Sequence, residues 1–174
     1  MAIQLDWRYC PWCGGSHFEP RAGLSWHCRD CGRVYYRNTA AAAAALIEVD
    51  DRIIVAVRAR EPGQGLLDLP GGFINPDETA EQALLREVKE ELNLDLAELR
   101  FLTTAPNRYL YQGVEYPGLD LVFVCRAARL DALQAQDDVA GVRLLRPQEL
   151  DLDQFAFVST KAALRYYLRQ LTGC

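Results

Sequence analysis

The chain has 174 residues, 50% of them hydrophobic, with a formal net charge of −5 and a pI near 5.1. That length fits one ordinary domain with a small appendage, and the acidity argues against a bulk electrostatic grip on nucleic acid. No apolar run is long enough to span a membrane and Met1–Cys10 lacks the regions of a signal peptide, so the expectation is a soluble cytoplasmic protein whose six cysteines are metal ligands or free thiols rather than disulfides.

Residues 1–37 read as a separate unit. Cys10-Pro-Trp-Cys13-Gly14 and Cys28-Arg-Asp-Cys31-Gly32 are two Cys-x-x-Cys knuckles, with fourteen residues between Cys13 and Cys28. Each ends in a glycine that permits the tight turn around the sulfurs. Four thiolates at this spacing suit a tetrahedral structural Zn²⁺. So short a stretch buries too little apolar area to fold alone, so the metal would supply much of its folding energy. The rival, a redox pair, needs one such knuckle in a βαβ setting, and here there are two without it. With the ligand set complete, His17 and His27 read as bystanders. Trp7, Trp12 and Trp26, the only tryptophans, read as the unit's small core rather than a base-stacking platform.

Asn38-Thr39 is the expected joint to a second unit over residues 38–174. Ala40–Ala45 favours a helix by propensity. The following Leu46–Val49, Asp50-Asp51 and Arg52–Arg58 read as a hairpin instead, so a strand is expected over 42–49. Arg58 and Arg60 end the second strand, where they could meet phosphate or cap a sheet edge. Residues 61–67 form a loop, and a short strand over 67–69 delivers Gly71-Gly72.

Asn75-Pro76-Asp77 is turn chemistry. Thr79–Leu92 lacks Gly and Pro and predicts a helix, with Thr79 as N-cap and Gln82 in the capping-box position. Glu87, Glu90 and Glu91 stack at i, i+3 and i+4 on one face, while Leu84, Leu85, Val88 and Leu92 form a neighbouring core stripe. Adjacent like charges repel, by about 0.2–0.5 kcal/mol per pair at i, i+4, and only Arg86 has the register to meet Glu90. A solvated acidic face is the bland explanation. Clustered hard oxygens also suit Mg²⁺ or Mn²⁺.

Beyond the helix, a strand is expected over 94–105. A polar, aromatic loop follows from Asn107 to Gly118, carrying Arg108, Tyr109, Tyr111, Glu115 and Tyr116. A loop this long is often functional. It reads either as aromatics covering a sheet edge or as a substrate lip, with Tyr109 and Tyr111 stacking a base and Phe73 and Phe157 as rivals. Residues 119–127 form a buried strand carrying Cys125, an inert thiol. A loop over 130–138, a strand over 139–145 and a helical turn at Pro147 come next. A helix over 157–171 closes the chain, with Ala162, Ala163, Tyr166 and Leu171 available for its packed side.

The stretch from Gly72 to Leu94 resembles the signature of the Nudix hydrolases. It has Gly72, five residues, Glu78, seven residues, Arg86-Glu87, an apolar residue, any residue, Glu90-Glu91, any residue, then Asn93 where a glycine is usual, and an apolar residue. Asn is the next best residue for a left-handed helix end, so the departure is mild. The resemblance covers residues 38–172 and implies an α/β/α sandwich with a mixed sheet, preceded here by a zinc ribbon. It implies metal-dependent hydrolysis of a nucleoside diphosphate linked to another moiety. Glu87, Glu90 and Glu91 would be metal ligands, Gly71 would offer its carbonyl oxygen, and Glu78 and Arg86 would orient the carboxylates. Mg²⁺ or Mn²⁺ would offset the carboxylate repulsion and activate a water for attack on phosphorus. An acidic group before a late strand is also expected, and Asp138 is chosen as extra ligand or base, with Asp137 and Glu115 behind it. The substrate residues expected are Arg60, Tyr109, Tyr111 and Phe73.

A zinc ribbon before such a domain is similar to the NADH pyrophosphatase branch and its relatives. The NADH-specific branch carries Ser-Gln-Pro-Trp after the box, and this chain has no Trp after Trp26. A related zinc-ribbon branch acts on ADP-ribose or FAD, and that resemblance implies one of these as the preferred substrate. NADH or an NAD-capped RNA 5′ end is the alternative, along with a second class, a nucleotide-sensing or RNA-binding module on the same scaffold. The partners expected are a small nucleotide and a second copy of the chain, with no membrane.

Overall fold

A computed structural model describes residues 7–22 and 25–173. The first six residues assigned to the ribbon, and Cys174, lie outside the described residues. Strands β1 (Phe18–Arg21), β2 (Ser25–Cys28) and β3 (Val34–Tyr36) make a small antiparallel sheet in that order. Its interior is Cys10, Phe18, Trp26 and Cys28. The tryptophan expectation holds for Trp26 alone. Trp7 and Trp12 are 37% and 49% exposed and lean on Tyr35, with ring centroids 5.4 and 6.0 Å away. A unit this small has room inside for one indole.

The second unit holds β4 (Ala40–Val49), β5 (Arg52–Arg58), β6 (Leu67–Asp68), β7 (Gly71–Phe73), α1 (Ala80–Leu92), β8 (Leu96–Tyr111), β9 (Val114–Ala127), β10 (Val139–Leu145) and α2 (Val158–Thr172). The sheet runs β10-β5-β4-β9-β8, with β6 on β5 and β7 on β4. β4 and β9 are parallel and the other pairs antiparallel, so the sheet is mixed. Leu84, Val88 and Leu92 of α1 pack on one face with Ala43, Ala45 and Ile47. Ala163, Leu164 and Tyr167 of α2 pack on the other with Leu46, Val55 and Val122. This is the expected α/β/α sandwich. The alanine run is strand because β4 is central and covered on both faces, where position outweighs propensity. Among the described residues no helix is long and apolar enough to cross a membrane.

Thr79 caps α1 through a full capping box with Gln82, and Asn93 ends it at φ 55°, ψ 28°. The left-handed position where a glycine is usual is thus met by asparagine. Two helix faces differ from expectation. Leu85 is 41% exposed, outside the core stripe, and Ala83 is buried instead. On α2 the packed residues are Ser159, Thr160, Ala163, Leu164 and Tyr167, while Ala162, Tyr166 and Leu171 face outward. Both sequences carry apolar residues at adjacent positions, and only the docking angle selects among them.

The expected loop from Asn107 to Gly118 is instead a continuous hairpin. β8 and β9 pair through Asn107↔Gly118, Tyr109↔Tyr116 and Tyr111↔Val114. Gln112 and Gly113 turn at φ 48° and 80°, two left-handed residues as a type I′ turn needs. Alternate residues of this hairpin share a face, which makes it a rigid carrier of aromatic side chains.

Candidate functional site

The Gly71-Gly72 strand lies against α1, and side chains on it would meet the β4 backbone at Gly71 and a carboxylate of α1 at Gly72. Gly71 sits at φ 143°, and a Cβ there would lie 2.1 Å from Ala43 O; at Gly72 it would meet the Glu87 carboxylate at 2.5–2.7 Å. Close approach lets the Gly71 N–H donate to Glu91 Oε2 at 2.9 Å. Arg86 ties the turn to the helix. Its Nε and Nη2 donate to Glu78 Oε1 and Oε2 at 2.7 and 2.9 Å, and Nη1 donates to Glu87 Oε1 at 2.7 Å and Glu90 Oε2 at 3.2 Å. Nη2 also reaches Phe73 O at 3.2 Å.

Burial divides these carboxylates. Burial pushes the Glu91 carboxyl up to about 8, against the Gly71 N–H that favours its charge. Burial also raises Glu87, with Arg86 opposing. The Arg86 hydrogen bonds hold Glu78 down at about 2. Glu90 is half exposed.

Glu87, Glu90 and Glu91 line one end of a cleft of ≈ 350 Å³ with Asp137 and Asp138. The other end is aromatic. Tyr109 meets Phe73 edge-on at 5.3 Å and Phe157 at 5.8 Å, and Arg58 lies 4.7 Å over the Phe157 ring. Ala42, Ala44, Gly71, Gly72 and Gly118 also line the cleft, so the alanine run makes room as well as sheet. A cleft of similar size at the far edge, lined by Glu48, Asp50 and Arg126, holds none of the expected site residues.

The structure thus brings together Gly71, Phe73, Glu87, Glu90, Glu91, Tyr109 and Asp138 in one cleft. Glu78 and Arg86 stand behind the carboxylates. Tyr111 lies outside the lining, stacked on Tyr109 at 6.3 Å. Arg60 is also outside, exposed and paired with Asp138 at 2.7 Å; Arg58 is the arginine inside, held by Asp68 at 3.2 Å and Pro62 O at 2.7 Å. Sequence reading missed Asp68, Asn107, Asp120 and Thr160. Thr160 Oγ1 donates to Asp68 Oδ1 at 2.7 Å, and Asn107 Nδ2 to Asp120 Oδ2 at 3.0 Å. Burial raises both carboxyls, Asp68 to about 6. A lone Asp in a strand carries no motif, and these pairs span 92 and 13 residues of chain.

In the ribbon, Cys10 Sγ lies 3.8 Å from Cys31 Sγ, and Cys13 Sγ 3.6 Å from Cys28 Sγ. A tetrahedral site with Zn–S of about 2.3 Å has sulfurs roughly 3.8 Å apart, so the four fit zinc. Among the described residues this is the only group of three or more such side chains whose ligand atoms all lie within 4.8 Å. The box carboxylates share a cleft but converge less closely. Cys125 is buried, and burial pushes its thiol up to about 12, as expected of an inert cysteine.

The family profile of the NUDIX domain matches residues 37–166. The chain belongs to the NUDIX family. Curated relatives of this Nudix chain include the NAD-capped RNA hydrolase NudC of Yersinia enterocolitica, 35% identical over 99 residues, and that of Vibrio atlanticus, 30% identical over the same length. The matches take in 57% of the chain but only 38% and 36% of those relatives, so they compare little more than half of it. A NUDIX hydrolase structure from Nitrosomonas europaea superposes with a TM-score of 0.75 at 24% identity, covering 96% of this chain and 93% of that one. The NUDIX domain of Shewanella oneidensis NrtR, solved with ADP ribose, superposes at 0.63 with 22% identity over 78% and 90% of the two chains. These likenesses show a common fold.

Proposed function

We propose that this chain is a Nudix pyrophosphohydrolase that cleaves a dinucleotide of the ADP-ribose or FAD kind between its two phosphates. One observation carries the reading: two desolvated carboxylates, Glu87 and Glu91, sit in the same cleft as an aromatic wall. Their donor set fits a divalent cation. The carboxylates at this end outnumber the cations, since Arg86 is shared with Glu78 and Arg60 is held outside by Asp138. Hard carboxylate oxygens beside a phosphate suit Mg²⁺ or Mn²⁺, which when bound would neutralise phosphate oxygens and lower the pKa of a water.

The chain's own residues do the rest. Arg86 fixes the Glu87 and Glu90 carboxylates by charge-assisted hydrogen bonds. The Gly71 N–H orients Glu91. Glu90 and Asp138, both partly exposed in the cleft, are the groups placed to take a proton from the attacking water. Tyr109, with Phe73 and Phe157 beside it, makes an aromatic wall for a flat base, and Arg58 borders that wall over Phe157. NAD-capped RNA, the substrate named for the NudC relatives, remains the second reading.

Glu90→Gln and Glu91→Gln test the assignment, with formation of the two monophosphate products measured from ADP-ribose, FAD, NADH and capped RNA. Each substitution is expected to lower turnover by orders of magnitude without changing the melting temperature by more than a few degrees. Unchanged turnover in both would remove the carboxylates from the chemistry.

A further inference from the structure

We infer that Asp120 and Asn107 read the edge of a nucleobase carrying an exocyclic amino group, held against the aromatic wall at Tyr109. The inference rests on the dinucleotide reading above and names what its aromatic end selects.

The cleft contains two aspartates outside the box, and they differ in what satisfies them. Asp68 is well satisfied: it accepts from Thr160 Oγ1 and the Leu69 N–H, and Arg58 Nη1 donates to its other oxygen as an ion pair. Asp120 accepts one hydrogen bond of normal geometry, from Asn107 Nδ2, and has no ion pair among the described residues. Ser159 lies beside it, yet its buried Oγ makes no hydrogen bond of normal geometry. A carboxylate has about four acceptor sites, so Asp120 keeps spare acceptor capacity in a half-buried place.

Asn107 supplies the complement. Its Oδ1 is used by the Arg108 N–H at 2.9 Å. Nδ2 spends one hydrogen on Asp120 and keeps the other. The pair therefore offers an acceptor and a donor side by side. Adenine presents the matching edge, an amino donor next to a ring-nitrogen acceptor.

The strand register sets this edge reader beside the ring wall. Asn107 and Tyr109 are two apart on β8 and share a face, as do their partners Gly118 and Tyr116. Asp120 neighbours Ala42 on β4, and Ala42 in turn faces Phe73 on β7. Ala42 and Gly118 keep the space between open; a Cβ on Gly118 would come within 3.3 Å of Asn107. A ribose diol could use the carboxylate, but it has no flat face for the rings. Hypoxanthine is flat, but it turns a carbonyl oxygen toward the carboxylate where adenine has its amine.

The experiment compares kcat/KM for ADP-ribose and its hypoxanthine counterpart, inosine diphosphate ribose, with Mg²⁺ present. The wild-type protein is expected to favour ADP-ribose about 100-fold, the discrimination of a good two-point edge contact. Asp120→Asn, which can donate to the carbonyl, is expected to bring the ratio to within about threefold of one or to invert it. Should that variant fail to fold, Asn107→Ala is expected to cut the preference about tenfold. Equal turnover of both substrates by wild type, or an unchanged preference in folded Asp120→Asn, overturns the edge reader and leaves the pyrophosphatase reading standing. No turnover of either substrate, nor of FAD, NADH or capped RNA, overturns both.

Discussion

Arg86 grips Glu78 with two parallel hydrogen bonds, Nε to Oε1 at 2.7 Å and Nη2 to Oε2 at 2.9 Å, while its third nitrogen serves Glu87 and Glu90. One planar fork thus locks the turn before α1 to the carboxylates on it. A lysine would keep the charge and lose the fork. Arg86→Lys is expected to lower kcat 10- to 100-fold and to raise the Mg²⁺ concentration for half-activity, as loss of a ligand-orienting partner does. A magnesium titration of activity reads both; a variant that matches wild type in each would show the fork to be structural only.

Asp68 makes stability depend on pH. Burial lifts its carboxyl from the usual 3.8 to about 6. The folded protein then holds a proton that the unfolded chain has released, so this group's contribution is full below about 4 and falls away as pH rises through about 6. At most about 3 kcal/mol is involved. Asp68→Asn is expected to flatten the melting-temperature profile between pH 4 and 6 relative to wild type. Parallel profiles for the two proteins would mean that Asp68 titrates normally.

The aromatic wall separates two tyrosines that look alike in sequence. Tyr109 touches Phe73 and Phe157 inside the cleft, whereas Tyr111 reaches it only through Tyr109. Base stacking on one aromatic ring is worth roughly 1–3 kcal/mol. Tyr109→Ala is expected to raise KM for ADP-ribose about tenfold or more with kcat nearly kept, and Tyr111→Ala to raise it no more than about threefold. Equal effects from the two would place the base elsewhere.

The ribbon prediction is independent of the cleft. Metal analysis is expected to find about one zinc per chain. Cys28→Ser should release it and unfold the ribbon, because metal binding is folding energy there. The Nudix unit has its own core and is expected to melt as before, in a calorimetric trace with its main transition unmoved. Zinc retained in full by Cys28→Ser would remove that cysteine from the ligand set.

Local order was legible wherever neighbouring residues determine it. Thr79 and Gln82 announce the capping box, Asn93 the left-handed helix end, and Glu87, Glu90 and Glu91 their shared face, because each depends on residues at most four apart. The knuckle cysteines are legible for a like reason: zinc demands four thiolates, and two short turns supply them. Where the local signal is weak, sequence and structure part: Gln112-Gly113 is a hairpin turn without the usual Asn-Gly, so the sequence reads as loop where the strands in fact pair.

The sequence by itself therefore determined the family, through the resemblance of Gly72–Leu94 to its signature, and with it the sandwich fold; the helix that carries Glu87, Glu90 and Glu91 and the paired cysteine knuckles were legible because each is written in short-range spacing. Tertiary structure alone decided which arginine enters the cleft, Arg58 rather than Arg60, because that follows from how β5 and β6 pair around Asp68. It alone set Asn107 against Asp120 and Thr160 against Asp68, since such meetings rest on strand register and helix docking. And it alone decided which faces of α1 and α2 are buried, because apolar residues lie on more of each helix than one neighbour can cover.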